Sequence, residues 1–419
     1  MSPVKETARV KVETMTFGRN AITRLDGKVV MVAGAAPGDL LEIEISAESA
    51  NYALARVVRL VQSGDERRQP PCEYANDCGG CDWQHLRYEA QIRHKAELLA
   101  AEFRRGLAIE LDPGNLVEPA AAELGYRSRV RLKTARDGVG FSRSASNSIV
   151  AIDSCPVAAV TIVNAASLAR ALGPICREIE VVAGTGGEVL VAELAKAPTA
   201  FTVAQARRTI QNGTAGVILR GHGARQVVGN ARIAFEAEPG CVIEADADLF
   251  SQVNRQQNLK LVSAVMGLAR LSPGIRVLDL FCGTGNFSLP AARRGAYVTG
   301  ADANSLAIEA ARANAARMDL RGTQFVAMRA AEAVRFLSGA GYRPELIILD
   351  PPRTGAADLI EPLVRLGGRQ VIYVSCNPMT LVRDLRLLTQ NGYRFEYARA
   401  FDFFPNTHHL EIIASALLT

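Results

Sequence analysis

The feature that most constrains the fold is a repeated alternation of apolar strands and helices over the last third of the chain. Continuous apolar runs lie at 277–280, 297–300, 346–349 and 371–374, and helical patterns such as 305–317 separate them. Strands that are apolar along their whole length are typical of a parallel sheet covered by helices on both faces. The pattern therefore predicts an α/β fold for this part of the chain.

Length and composition limit the other possibilities. The chain has 419 residues, which at roughly 150 residues per domain corresponds to two or three domains. Hydrophobic residues make up 48% and charged residues 22%, so a wholly disordered or collagenous chain is excluded. No apolar run approaches the roughly 18 residues that span a bilayer, and the polar start at 1–10 does not resemble a signal peptide. We expect a cytoplasmic protein without membrane contact.

The first part of the chain has a different pattern. Short alternating strands between residues 8 and 61, separated by turn signals, predict a small antiparallel barrel of the oligonucleotide-binding kind. A β-domain without a ligand is the alternative. A polar, proline-bearing linker follows, and then a helical pattern from Tyr88 to about Gly106. We divide the chain into a barrel at 1–65, a central α+β domain at 66–250, and an α/β domain at 251–419, and we expect part of 84–115 to pack with this last domain.

Three of the eight cysteines, Cys72, Cys78 and Cys81, lie within ten residues. In a chain without an export signal, such crowding indicates metal or cluster ligation rather than disulfides. Cys155, which also lies in a turn-like sequence, is the best candidate for a fourth ligand. Four thiolates suit either zinc or an iron–sulfur cluster, and the softness of the ligands does not decide between them. Unligated thiols are the alternative.

A glycine-rich turn follows the strand at 277–280, with Gly283 and Gly285 just before a helix. Such a turn lets the backbone approach a ligand at the carboxyl edge of a parallel sheet. Asp302 follows Gly285 by 17 residues, at the end of the next strand, where a carboxylate can accept both hydroxyls of a ribose. The pattern predicts a nucleoside cofactor, whereas Ser288 in the third glycine position disfavours a pyrophosphate. A tight turn without a ligand is the alternative.

A row of basic residues recurs at period two, so in an extended strand all four side chains project from one face. The row consists of Arg127, Arg129, Arg131 and Lys133, and Arg136 and Arg143 extend the charge. The net charge of +5 is compatible with a polyanionic partner. Cations about 7 Å apart roughly match the phosphate spacing of a nucleic acid strand. The row predicts contact with RNA or DNA, and a solvated sheet face is the alternative.

Two further strand ends bring reactive side chains to the same sheet edge. Asp350 begins Asp-Pro-Pro-Arg after the strand at 346–349, and Cys376 follows the strand at 371–374. A thiol beside Asn and Pro at this edge is better placed for nucleophilic chemistry than a buried structural cysteine. Glu411 enters a final apolar strand, where partial burial would raise its pKa toward that of a useful base.

Two adjacent histidines, His408 and His409, precede Glu411. Histidine is a common metal ligand, so a metal site is one interpretation. Adjacent residues of a strand point to opposite faces, however, which would separate the two rings. A structural role or contact with the substrate is the prediction we favour.

Together these segments resemble the class I S-adenosylmethionine-dependent RNA (uracil-5-)-methyltransferases. The likeness is greatest to those that form 5-methyluridine in 23S ribosomal RNA and carry an N-terminal TRAM domain and a four-iron, four-sulfur cluster. It covers nearly the whole chain. The segments that carry it are the barrel-like start, the three clustered cysteines followed by Gln84-His85-Leu86, Phe250 to Asn254, Gly283 and Gly285, Asp350 to Arg353, Ser375 to Pro378, and Glu411.

The resemblance implies a Rossmann-like catalytic domain and a role for each matching residue. It makes Cys376 the nucleophile that adds to C6 of uracil and Glu411 the base that removes the C5 proton. It implies that Cys72, Cys78, Cys81 and Cys155 bind a 4Fe–4S cluster, and that Gln252, Phe281, Gly283, Gly285, Asn286, Asp302 and Asp350 line the S-adenosylmethionine site. One departure is Ala330, where relatives often carry Asn or Asp for the adenine. Backbone or Glu332 would have to substitute there.

The resemblance also implies an RNA partner, 23S ribosomal RNA before transfer RNA, and we expect a monomer. The cluster is expected to be structural and to shape the RNA-binding surface, since its cysteines lie far in sequence from the methyl-transfer loops. Two other functions stay open at this point. One is an oxidoreductase using NAD or an iron–sulfur centre, which leaves Cys376, Glu411 and the basic row unexplained. The other is a non-catalytic RNA-binding protein.

Overall fold

The computed structural model describes residues 7–135 and 138–419, so Arg136 lies outside the described residues. Within these ranges the strands form four sheets. None of the helices there is long and apolar enough to cross a membrane.

The chain starts with a six-stranded sheet. Its strands are β1 (Thr7–Lys11), β2 (Thr14–Met15), β3 (Asn20–Leu25), β4 (Lys28–Ala33), β5 (Leu40–Glu48) and β6 (Tyr52–Gln62), in the order β1-β5-β6-β4-β3-β2. The sheet curls on itself, and Thr23 Oγ1 donates to the Lys11 oxygen at 2.7 Å. Neighbouring strands are antiparallel except β4 and β6, which run parallel. The predicted antiparallel arrangement is therefore wrong for that pair. Trp83 and Leu86, from beyond the sheet, pack into its apolar interior.

A second sheet, of seven strands, forms the middle of the chain, and helices pack on it. The elements before and within this region are α1 (Tyr88–Leu107), β7 (Val117–Glu118), β8 (Arg129–Ala135), β9 (Gly138–Ser142), β10 (Ile149–Ala151), α2 (Val163–Leu172), β11 (Cys176–Gly184), β12 (Gly187–Leu194), α3 (Ala200–Gln211), β13 (Gly216–Gly221) and β14 (Ala224–Gly229). The order in the sheet is β10-β9-β8-β11-β12-β13-β14. A two-stranded hairpin follows, made of β15 (Arg232–Glu238) and β16 (Cys241–Asp246).

The last part of the chain forms the predicted α/β sheet. Its elements are α4 (Arg255–Leu268), β17 (Arg276–Leu280), α5 (Ser288–Arg293), β18 (Tyr297–Asp302), α6 (Ser305–Arg317), β19 (Thr323–Ala327), α7 (Ala330–Gly339), β20 (Leu346–Leu349), α8 (Ala357–Leu366), β21 (Gln370–Ser375), α9 (Pro378–Gln390), β22 (Tyr393–Phe401) and β23 (Glu411–Leu418). The order is β19-β18-β17-β20-β21-β23-β22-β7, and β17 to β21 are parallel. A separate apolar core lies on each face, which confirms that helices cover both.

Helix α1 packs against this last sheet, although it lies far upstream in the sequence. Its apolar side chains share a core with α9, and the rings of Phe103 and Phe395 are 5.6 Å apart. The short strand β7 also adds to the edge of this sheet, beside β22. Helix α1 and strand β7 therefore pack against the C-terminal sheet.

Candidate active site

The parallel strands bring several predicted residues to one edge of the sheet. Strands β18 and β19 lie on one side of β17, and β20 and β21 lie on the other. In open α/β sheets the ligand crevice lies at the carboxyl ends of the strands where the order reverses in this way. The first of these ends is a tight turn, since Phe281 has a φ of +64° and Gly285 a φ of +99°. Gly283 N donates to Asp302 Oδ2 at 3.0 Å, which joins this turn to the end of β18.

Three carboxylates, those of Asp279, Asp302 and Asp350, lie near one another in this crevice. Burial, followed by the charges of Asp279 and Asp302, raises the pKa of Asp350 to about 7. Burial also raises the pKa of Asp279 to about 7, although Ser288 Oγ donates to it. Asp279 is fully buried and the other two are half-buried, and neighbouring carboxylates disfavour each other's ionised forms. A cation bound among them would relieve that repulsion, so the crevice suits a positively charged ligand.

A cavity of about 460 Å³ opens beside Asp302. This volume falls in the range of small-molecule sites. Phe281, Asp302, Arg329 and Ala330 are among the described residues that line it, and Glu332, the suggested substitute for an adenine contact, is not. The cavity therefore offers a carboxylate beside an apolar ring and backbone, which suits a nucleoside.

The residues predicted as nucleophile and base lie close together because the last strand runs antiparallel to its neighbours. Ser375, the last residue of β21, pairs with Ile412 of β23, so Cys376, which follows β21, and Glu411, the first residue of β23, are neighbours. Burial, and then the charge of Glu411, raises the pKa of the Cys376 thiol, while the Arg353 guanidinium opposes the rise. Glu411 is only 4% exposed, and burial together with Asp350 raises its pKa well above the usual value.

Helix α9 holds the loop that carries Arg353. The Arg353 oxygen accepts from Asn377 Nδ2 at 3.1 Å and from Thr380 Oγ1 at 3.2 Å. Asp384, fully buried, accepts from Ala356 N and from Tyr373 Oη, each at 2.6 Å. These contacts fix the loop after β20 relative to the thiol after β21. Sequence reasoning missed Thr380 and Asp384, although their spacing after Asn377 puts them on one helix face.

Comparisons with known proteins identify the family that has this site. Residues 239–418 match the tRNA (Uracil-5-)-methyltransferase family, and residues 2–58 match the TRAM domain. The 23S rRNA (uracil(1939)-C(5))-methyltransferase RlmD of Pseudomonas putida is 34% identical over 98% of this chain and 94% of its own length. The enzyme of the same name from Edwardsiella ictaluri is 32% identical over 99% and 97%. This chain belongs to the RNA uracil-C5-methyltransferase family.

A solved structure supports the same assignment. The tRNA (uracil-54, C5)-methyltransferase of Pyrococcus abyssi, in complex with S-adenosyl-L-homocysteine, superposes with a TM-score of 0.75 at 25% identity, over 98% of this chain and all of that one. As a uracil-C5-methyltransferase, the protein is an S-adenosylmethionine-dependent enzyme that acts on RNA.

The structure also places Asn286 and Gln252, two residues expected to bind the methyl donor. Asn286 exchanges two side-chain hydrogen bonds with Asn258 on α4, at 2.9 and 3.0 Å. Gln252 is half-buried in the loop before α4. Both stay predictions as ligands of the methyl donor, and the pairing shows that Asn286 also ties α4 to the glycine-rich turn.

The four predicted cysteine ligands of this methyltransferase face one cavity. Cys72, Cys78, Cys81 and Cys155 all line it, and all eight cysteines of the chain are free thiols. Burial, with smaller contributions from the other cysteines, raises the pKa of Cys78 and raises that of Cys81 to about 12. In residues 7–135 and 138–419 no group of three or more Cys, His, Asp or Glu has the spacing for a single metal ion. Four free thiols around one cavity are a donor set that an iron–sulfur cluster or zinc could use, and the cluster stays a prediction.

The predicted row of exposed cations is only partly present. Arg131 is exposed and Lys133 is half-buried, but Arg129 is 7% exposed and donates to the backbone oxygens of Leu249 and Ala247. Strand β8 begins only at Arg129, so Arg127 precedes the ladder and turns toward the cysteine cavity. Arg129 therefore ties β8 to the segment before α4, and its prediction as an RNA contact is wrong on burial.

The two histidines lie in a loop rather than in a strand, so the predicted separation of their rings is wrong. The ring centroids of His408 and His409 are 4.0 Å apart. His408 Nδ1 is 2.5 Å from Asp82 Oδ2, and His409 Nε2 is 3.4 Å from an Arg353 nitrogen. Both rings thus have partners in the protein, and a structural role or contact with the substrate stays a prediction.

Proposed function

We propose that this protein forms 5-methyluridine in 23S ribosomal RNA, with Cys376 as the nucleophile and Glu411 as the base. The observation that carries the proposal is the pairing of β21 with β23, which makes a thiol and a buried carboxyl neighbours beside Asp350. We choose 23S RNA as the substrate because relatives with 30–34% identity, over nearly their whole length, are named as 23S rRNA methyltransferases.

The residues suit the chemistry of uracil, whose C5 is a poor nucleophile until a group adds to C6. The thiolate of Cys376 adds to C6, and C5 of the resulting enolate would attack the methyl carbon of S-adenosylmethionine, whose sulfur–methyl bond breaks so that S-adenosylhomocysteine leaves. Glu411 then accepts the C5 proton, the electron pair reforms the C5–C6 double bond, and Cys376 leaves as a thiolate. Arg353 opposes the rise in pKa at both groups, so it favours their charged forms. The target base must leave its stack to reach this edge.

For the methyl donor we propose the crevice at the ends of β17, β18 and β20. S-adenosylmethionine carries a positive sulfonium and an ammonium, which suit the carboxylates Asp279 and Asp350. Its ribose would bind Asp302 and its adenine would enter the cavity beside Phe281 and Ala330. The residues assigned to this site are Gln252, Phe281, Gly283, Gly285, Asn286, Asp302 and Asp350.

For the cysteines we propose a 4Fe–4S cluster held by Cys72, Cys78, Cys81 and Cys155. When bound, such a cluster supplies a fixed cross-link between the loop at 72–81 and Cys155. Residues 1–65 would then be a TRAM barrel that binds RNA, 66–250 the cluster domain, and 251–419 the methyltransferase domain. Arg127, Arg131 and Lys133 keep the proposed RNA-contact role, and Arg129 does not.

The test is nucleoside analysis of unmodified 23S ribosomal RNA and transfer RNA after anaerobic incubation with the protein and isotopically labelled S-adenosylmethionine. We expect labelled 5-methyluridine in the 23S RNA. Transfer RNA is the second candidate because the solved structure with a TM-score of 0.75 is a tRNA enzyme. Label in transfer RNA alone would select that acceptor, and label in neither RNA, from a donor-binding protein, would refute both.

A further inference from the structure

The chain reaches Glu411 through residues 402–410, which we call the connector. It links β22 to β23 and crosses the edge of the sheet at which Cys376 lies. Most side-chain contacts that fix it come from the first third of the chain. Since Glu411 follows directly, the position of this carboxyl depends on how the connector is held.

Asn406 is the centre of these contacts. It is fully buried and its φ is +69°, a left-handed conformation that costs energy for a residue other than glycine. Its side-chain oxygen accepts from Arg68 at 2.8 Å and Gln91 at 3.3 Å, and Nδ2 donates to the Glu123 oxygen at 2.8 Å. Its backbone N donates to Gln91 Oε1 at 2.7 Å. These hydrogen bonds together hold Asn406 in its strained backbone conformation, three residues before His409.

The two residues that follow the cysteine loop, which we define as residues 72–81, contact the connector directly. Trp83 N donates to the Asn406 oxygen at 2.9 Å. Asp82, which follows Cys81, accepts from His408 N at 3.2 Å through Oδ1, and its Oδ2 lies 2.5 Å from His408 Nδ1. Two contacts from one side chain therefore hold the residue three positions before Glu411. The cysteines lie far in sequence from the methyl-transfer loops, but Asp82 and Trp83, which follow Cys81 directly, contact the connector.

We propose that Asp82 is a positioning residue for the base, and that it couples the cysteine loop to the removal of the C5 proton. The proposal rests on the proposed function. Asp82 holds the end of the connector next to Glu411, whereas Cys376 is held from the other side, by β21 and α9. Loss of Asp82 should therefore slow the step that uses Glu411 and spare the step that uses Cys376.

The two steps can be measured separately with two RNAs. With 5-fluorouridine at the target, Cys376 can add to C6 and C5 can be methylated, but C5 carries fluorine in place of a removable proton. The adduct then persists, and its rate of formation reports addition and methyl transfer only. With ordinary uridine, labelled 5-methyluridine is released only after Glu411 removes the C5 proton, so the rate of release also reports that step.

We would compare Asp82→Ala with Glu73→Ala in the iron-loaded, full-length protein. Glu73 is a matched control, since it is an exposed acid directly after Cys72, and it makes no hydrogen bond to the connector among the described residues. For Asp82→Ala we expect product release about ten- to a hundred-fold slower, which is what a misplacement of about 1 Å can cost. Adduct formation on the fluorinated RNA should stay within about two-fold of the control, and a denaturant-resistant adduct should accumulate on ordinary RNA. Asp82→Asn keeps an acceptor for His408 N and should restore much of the rate.

Iron and sulfide content would be measured first. If Asp82→Ala does not retain both, His408→Ala carries the same test from the connector side. Product release at the control rate would overturn the proposal, and so would equal slowing on both RNAs, since that indicates a general structural effect. If the unmodified enzyme forms neither adduct nor product, the proposed function itself fails.

Discussion

Replacing Lys95 by methionine removes one half of an ion pair that lies wholly inside the protein. Lys95 Nζ is 2.7 Å from Asp402 Oδ1, and neither side chain is exposed. Burial lowers the pKa of Lys95, and the charge of Asp402 opposes that fall. Asp402 also accepts from Tyr88 Oη at 3.0 Å and from Phe404 N at 3.2 Å. In the methionine variant, the carboxylate keeps these two neutral donors and loses its cation.

The cost follows from the charge that is left behind. Removing one partner of a buried ion pair typically costs about 3 to 5 kcal/mol, because the remaining charge stays in a low-dielectric interior. We expect the free energy of unfolding to fall by that amount, a large share of the roughly 5–15 kcal/mol that stabilises a protein. The double variant Lys95→Met/Asp402→Asn leaves no charge at this position. Its loss should therefore be smaller than the sum of the two single losses.

Denaturant unfolding followed by tryptophan fluorescence measures this locally. Trp83 is the one tryptophan in the sequence, and Lys95 Nζ lies 5.9 Å from its ring centroid. The control is Lys260→Met, which breaks a partly exposed pair with Glu118 and should cost less than about 1 kcal/mol. Additive losses in the double variant, or a Lys95→Met loss no larger than that of the control, would refute the reasoning.

Four further outcomes are expected. Cys376→Ala should abolish turnover and leave S-adenosylmethionine binding, measured by calorimetry, unchanged; appreciable turnover would remove Cys376 as the nucleophile. Glu411→Gln should accumulate a covalent protein–RNA adduct on denaturing gels, because proton removal is blocked, and no adduct would count against the base. Because burial and Glu411 raise the pKa of Cys376, its thiolate fraction grows with pH, so adduct formation should speed up from about pH 7 to about pH 9; a flat profile would contradict this. Cys78→Ser should reduce both RNA affinity and activity, and retention of both would show that the cysteine loop is dispensable.

The sequence could predict the parts of the fold and site that depend on local pattern. Apolar strands and the glycine turn predict the parallel sheet and its ligand edge, because strand ends of one direction share an edge. The burial of Arg129 could not be predicted, since a period-two row identifies a face but not what covers that face. The contact between Asp82 and His408 could not be predicted either, because the two residues are 326 positions apart in the sequence.

The position of Glu411 at the start of its strand follows from the topology. Cys376 comes after β21, because a parallel strand reaches the active edge with its carboxyl end. Strand β23 lies antiparallel between β21 and β22, so it reaches the same edge with its first residue. A proposed base at this edge is therefore preceded by a connector that lies at the same edge, between the end of β22 and the start of β23. Such a segment has no ladder of its own, so its backbone needs partners from elsewhere. Here Asp82, Trp83 and Lys95 supply them, so the N-terminal third of the chain holds the segment that precedes the proposed base, in addition to its proposed contact with RNA.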